Sequence, residues 1–170
     1  MKQIITLVFC LFAIAAFSQS AEQTTGINWM TWQEAYDANK KQPKKIFIDI
    51  YTDWCGWCKK MDKSTFQDPE VIKTINDNFY AVKFNAEQKE DIIFNGATFG
   101  FTDQGRNGTH QLAYALLDGR MGFPAFVTLD EQFHRVIKSP GFKQSAELIK
   151  ELTYVSSNSY KKVNLENYDN

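Results

Sequence analysis

Cysteine, excess positive charge and long apolar runs are all scarce in this chain, and each shortage removes a class of function. The 19 Lys and Arg are outnumbered by 20 Asp and Glu, for a net charge of -1, so no basic field exists to recruit nucleic acid. Beyond Ser20 no apolar run approaches the ~20 residues that cross a bilayer, so the mature chain carries no membrane span. Low-complexity blocks and internal repeats are also missing, while aromatics reach 15%, which points to a folded chain rather than a disordered one. There are three cysteines and two histidines. Structural zinc normally takes four ligands, and Cys55, Cys58, His110 and His134 lack the second paired spacing such a site needs, so no metal is expected. Covalent haem needs His directly after the second Cys. Lys59 stands there instead, and no cofactor is expected.

The first twenty residues differ from the rest: Lys2, an apolar run from Ile4 to Phe17, then Ser18 and Ser20 before Ala21. This is the pattern of a secretory signal peptide cleaved near Ser20. A membrane anchor would need a longer run, and bulky Phe9 argues against lipidation of Cys10. Export to a periplasm or cell envelope follows. Removing residues 1–20 leaves 150 residues with 18 basic and 20 acidic side chains, a size suited to one domain, placed at 21–155. A polar tail, 156–170, is expected to fray. Only Cys55 and Cys58 then remain. An oxidising compartment favours a disulfide between them, but a bridge closing so short a loop constrains the unfolded chain little, so stability is a poor explanation for it.

Residues 21–28 read as a polar lead-in. Thr31 and Glu34 form a capping box opening a helix to about Asn39. Ile46–Tyr51 is a continuous apolar run, the mark of a strand buried on both faces, yet Asp49 sits inside it. Helix follows at Cys55–Lys63, and again from Asp68-Pro69, a cap followed by proline at the first helical position, with Val71, Ile72 and Ile75 as its stripe. Phe79–Asn85 alternates as a strand. Asp91–Thr102, carrying Asn95-Gly96, reads as a hairpin, Gly105–Gly108 as loop and Gln111–Leu117 as a helix stopping at Gly119. Phe126–Asp130 and Phe133–Lys138 read as antiparallel strands and Gln144–Val155 as a last helix. The class is mixed α/β with a central sheet.

Trp54-Cys55-Gly56-Trp57-Cys58-Lys59 follows a buried strand and opens a helix, the setting that gives C-x-x-C a redox meaning. Cys55 at a helix N-terminus meets the positive end of the macrodipole, which favours thiolate over thiol; Cys58, carried inward, is expected to be the more buried. Residues 46–60 closely resemble the active-site segment of thioredoxins. The likeness extends more loosely from Trp32 to Val155, nearest to exported bacterial thioredoxin-like proteins and to the reducing domain of transmembrane thiol:disulfide interchange proteins.

The resemblance implies a thioredoxin fold, a central mixed sheet flanked by helices, with a hairpin and loop (91–108) inserted before the strand that follows Pro124. It implies that Cys55 attacks a substrate disulfide, that Cys58 resolves the intermediate, that Asp49 moves the proton of the resolving thiol, and that Lys83 faces Asp49. It also implies a cis peptide at Phe123-Pro124, with residue 123 pairing to the substrate backbone and Trp54, Gly56 and Trp57 beside it. Burial is expected to raise the Asp49 pKa and a nearby cation to oppose that. The chain departs from the family in its insertion, expected to cover a sheet edge or else shape the substrate face, in Phe123 where a smaller residue is common, and in Trp57 where proline is common. Trp57 either grips a partner or packs downward. Both histidines are expected to cap or face solvent. Partners would be protein thiols and disulfides, plus a membrane-bound or exported redox partner, with the direction leaning to reductase or isomerase. The rival readings are an inert binding module with a structural disulfide and, more remotely, a peroxide-reducing enzyme.

Overall fold

The computed structural model describes residues 25–103 and 107–168. The signal-peptide reading of residues 1–20, Cys10 included, lies outside them, as does Gly105 of the expected loop.

A five-stranded mixed sheet has the order β1-β3-β2-β8-β9: β1 is Trp29–Met30, β2 Lys45–Tyr51, β3 Phe79–Asn85, β8 Ala125–Leu129 and β9 Arg135–Pro140. β1, β2 and β3 run parallel, while β8 and β9 are antiparallel to their neighbours. Central β2 is buried from Lys45 to Ile50, as its continuous apolar run predicts. Alternation splits its side chains between two cores. Ile46, Ile48 and Ile50 join Val82, Phe84, Val127 and the buried faces of α1 (Trp32–Lys41) and α4 (Gln111–Leu116). Phe47 faces the other way, with Phe126 and the buried residues of α2 (Gly56–Lys63), α3 (Pro69–Asn78) and α5 (Ser145–Ser156). Asp49 shares the Phe47 parity. The parallel register pairs Asp49 with Lys83, so strand geometry alone sets that carboxylate and that ammonium side by side beneath α2.

Local signals place the helix starts. Thr31 and Glu34 make the reciprocal capping box of α1, and the Asp68 carboxylate caps α3 with Pro69 at its first position. Val71 and Ile75 of the α3 stripe are buried; Ile72 is half-exposed.

The insertion departs from expectation. β4 (Ile92–Phe94) and β5 (Ala97–Phe99) form a hairpin turning at Asn95-Gly96, both at positive φ, as that dipeptide predicts. Phe101–Thr102, however, belongs to a second hairpin as β6, paired with β7 (Thr109–His110). Neither hairpin pairs with the main sheet, and Phe94 of the first packs edge-on against Trp32 and Tyr36 of α1. Phe133, read as strand, lies at φ 65° in the turn before β9 and sends its ring to Phe94 and Tyr36. The tail does not fray through its described length. It forms 3₁₀ turns at Ser159–Lys161 and Leu165–Asn167, Tyr160 packs edge-on and Tyr168 tilted against Tyr154, and the Tyr154 hydroxyl donates to the Val163 carbonyl at 2.6 Å.

Candidate functional site

β2 ends at Tyr51, and the chain turns through Thr52–Trp54 into α2 with Cys55 as its N-cap. A cap residue accepts a hydrogen bond from the otherwise orphaned amides of the first helical turn. Here the acceptor is sulfur: the Cys58 N–H donates to Cys55 Sγ at 3.0 Å. Cys55 and Cys58 are joined in a disulfide with their Cα atoms 5.3 Å apart. No acidic residue lies in the first turn of α2 and Lys60 and Lys63 lie in its last, so nothing on the helix offsets the positive end of its dipole at Cys55. Cys58 is 2% exposed and Cys55 only 4%. The expected contrast in burial between them is therefore slight in the disulfide form.

Two indoles flank the sulfurs. Trp54 is 58% exposed, packs edge-on to Phe123 at 5.8 Å and donates its indole N–H to Glu87 Oε1 at 2.8 Å. Trp57 is 56% exposed, leans on Phe142 at 5.5 Å and carries the Lys60 ammonium 4.9 Å from its ring centre. One edge of the indole is thus packed and the rest is open to solvent. Gly56 is exposed, and a Cβ there would meet nothing within 4 Å. Phe123-Pro124 is cis. The β2–β8 ladder begins at Ala125, which leaves Phe123 and Pro124 beyond its last pair, and the Trp54–Phe123 contact brings that segment to the turn bearing the cysteines.

Beneath α2, Asp49 is 1% exposed. Lys83 Nζ reaches its Oδ2 at 2.6 Å, while Oδ1 has no hydrogen-bond partner among the described residues. Burial pushes the Asp49 carboxyl up to about 6, against the pull of Lys83. Burial in turn works against the Lys83 ammonium, but Asp49 and Asp62 more than offset it and its pKa is raised. Lys83 also lies about 5 Å from the ring centres of Trp29, Tyr51 and Phe66, an arrangement favourable to a cation.

Asp62, which ion-pairs with Lys83, escaped the sequence reading. Its signal was available: it follows Cys58 by four residues, one helical turn along the same face. Glu87 was missed as well, because it meets Trp54 only in the fold, the two being distant in sequence. The histidines take the bland roles foreseen. His110 is buried and caps α4, accepting from Leu112 N–H at 3.2 Å, and His134 pairs with Asp130 on the surface.

A family model matches residues 15–158, that of Thioredox_DsbH, described as a protein of unknown function, DUF255. The chain belongs to this family. Spermatogenesis-associated protein 20 of Mus musculus is 36% identical over 67 residues, 39% of this chain and 8% of that protein. The thiol:disulfide interchange protein DsbD of Escherichia coli (strain K12) is 31% identical over 64 residues, 35% of this chain and 11% of DsbD. The chain thus spans roughly a tenth of the length of these relatives. A solved structure of DsbH oxidoreductase superposes with a TM-score of 0.57 at 20% identity, over 79% of this chain and 88% of that one. That likeness, together with the strand order, establishes a thioredoxin fold with its insertion between β3 and α4.

Proposed function

We infer that the chain is an exported thiol:disulfide oxidoreductase that exchanges disulfides with protein substrates. The observation that carries this reading is the Cys55–Cys58 disulfide closing the first turn of α2, its first sulfur at the N-cap. A bridge across three residues contributes little to stability. At that position the reduced Cys55 would be held as thiolate by the helix end and by the Cys58 amide.

In the reductive direction, Cys55 thiolate attacks a substrate disulfide, forming a mixed disulfide and releasing one substrate thiolate. Cys58 gives up its proton and attacks the Cys55 sulfur, regenerating the Cys55–Cys58 disulfide and freeing the second substrate thiolate. The two electrons leave the protein dithiol and reduce the substrate. Asp49 suits the role of acceptor for the Cys58 proton, since a carboxyl poised near 6 is ionised at neutral pH yet basic enough to take a proton in passing. Lys83 sets that poise. Phe123 and Pro124, outside the ladder, offer backbone for an extended substrate to pair with, and Trp54, Gly56 and Trp57 form the rim it meets. Gly56-Trp57 brings no histidine or cation between the cysteines to stabilise the reduced form, which favours reductase or isomerase work over strong oxidation. No cofactor is needed; a membrane-bound or exported partner would return the electrons. The likeness to the thiol:disulfide interchange protein DsbD and to DsbH oxidoreductase supports this chemistry. Insulin reduction with dithiothreitol tests it: wild type turns over and Cys55→Ser does not. Inactive wild type, or equal rates, rejects the reading.

One observation favours the alternative of an inert scaffold, the burial of both sulfurs. A reduction potential below about -300 mV would select it.

A further inference from the structure

On the insertion side of the redox turn lies a cavity of about 640 Å³ that shares Trp54 and Phe123 with the cysteine site. Its size falls within the ~300–1,000 Å³ of pockets that enclose a ligand. Trp54, Phe123, Tyr114 and Met121 form apolar walls, and the loop between β6 and β7 supplies Asn107 and Gly108. Gly108 sits at φ 73°, and a Cβ on it would collide with the Phe101 ring and lie 2.8 Å from the Thr102 carbonyl oxygen, so only glycine lets the loop close there.

Glu87 is the charged residue of this lining among the described residues. Its Oε1 accepts from the Trp54 indole at 2.8 Å and from the Asn107 side-chain amide at 3.0 Å. Both donors are neutral, and Glu87 is in no ion pair among the described residues. Among the described residues no cation pairs with this carboxylate at the edge of the cavity, an arrangement that attracts positive ligands and repels anionic ones.

We propose that this cavity is the specificity pocket for a polypeptide substrate that carries a bulky apolar side chain, with a Lys or Arg nearby, within a residue or two of its disulfide-bonded cysteine. This rests on the redox reading for the cysteine and extends it to the substrate's neighbouring residues. A chain paired at Phe123 passes the pocket mouth, and an extended chain sets alternate side chains on one face, so one of them enters the cavity. Glutathione, with its surplus negative charge, fits Glu87 poorly.

The test uses two synthetic peptides with serine in place of cysteine, one bearing Phe and Lys beside that position and one bearing Gly and Glu. Calorimetric titration of the disulfide-form protein is expected to show the Phe/Lys peptide binding at least about tenfold tighter. Met121→Trp, which fills the cavity, brings the two affinities together, Tyr114→Ala narrows the gap, and Glu87→Gln removes about threefold of the preference. Equal affinities in wild type, an unchanged gap in both Met121→Trp and Tyr114→Ala, or displacement of the peptide by glutathione disulfide overturns the proposal. Because these peptides have no sulfur, the result is separate from catalysis: peptide discrimination alongside inactive wild type in insulin reduction sinks the redox reading and leaves the pocket standing.

Discussion

Two carboxylates serve the two sides of the Thr52–Cys58 turn, and their surroundings could hardly differ more. Asp49 lies on the covered face, 1% exposed, with an ammonium at 2.6 Å and a second acid, Asp62, on the same cation. Glu87 lies on the open face among indole, amide and ring groups, with no ion-pair partner among the described residues. Low dielectric and a cation make the first a group whose proton affinity is tunable. The second is held by neutral donors, the Trp54 indole and the Asn107 amide. On the readings above, one side handles protons and the other recognises substrate, and the disulfide sits where the two meet.

The largest effect expected is from Cys55→Ser, which takes insulin reduction to background, since removing the attacking sulfur disables both sides at once; residual turnover would place the chemistry elsewhere. Next is Lys83→Met. It strands Asp49 without its cation, and the native state should lose about 3 kcal/mol at pH 8 by urea unfolding, the scale for breaking a buried pair. Most of that loss should vanish below pH 6, where Asp49 takes up a proton. A loss independent of pH would mean that Lys83 matters only as packing.

Asp49→Asn should do the opposite. The folded-state pKa of about 6 lies above the ordinary 3.8, so the Asp49 contribution to stability is intact below pH 3.8 and is lost as pH rises through 6. At ~1.4 kcal/mol per unit, the variant should be more stable than wild type by about 3 kcal/mol at pH 8, with little difference at pH 4, while turning over more slowly above pH 6. Equal stability across that range would rule out an elevated pKa. The smallest effect is from Asp62→Asn. Its half-exposed charge pushes the Asp49 pKa upward, so removal should move the pH–rate limb down with under about 1 kcal/mol of stability change. An upward move would show that Asp62 acts mainly by restraining Lys83.

Much of this architecture could be read from short windows of sequence. Thr31-x-x-Glu34, Asp68-Pro69 and Asn95-Gly96 each encode a cap or turn through atoms within three residues of one another, and all three form as their chemistry dictates. β1 escaped because two residues make a strand only when β3 lies alongside. The 156–170 tail escaped because Tyr160, Leu165 and Tyr168 have no period and find their apolar neighbours only after α5 has docked. Phe133 was misread because an apolar residue beside a strand ordinarily continues it, whereas here a left-handed turn aims it at the core.

By itself the sequence determined the cysteine pair at the head of a helix, the acid within the apolar strand and the class of fold, because each depends on neighbours along the chain. Only the tertiary structure decided that Asp62 joins Asp49 on Lys83, that both sulfurs are covered, and that Glu87, Thr102, Asn107, Tyr114, Met121 and Phe123 line one cavity. Those outcomes depend on strand register and on packing between segments far apart in sequence, and no local pattern of side chains encodes which distant groups will meet.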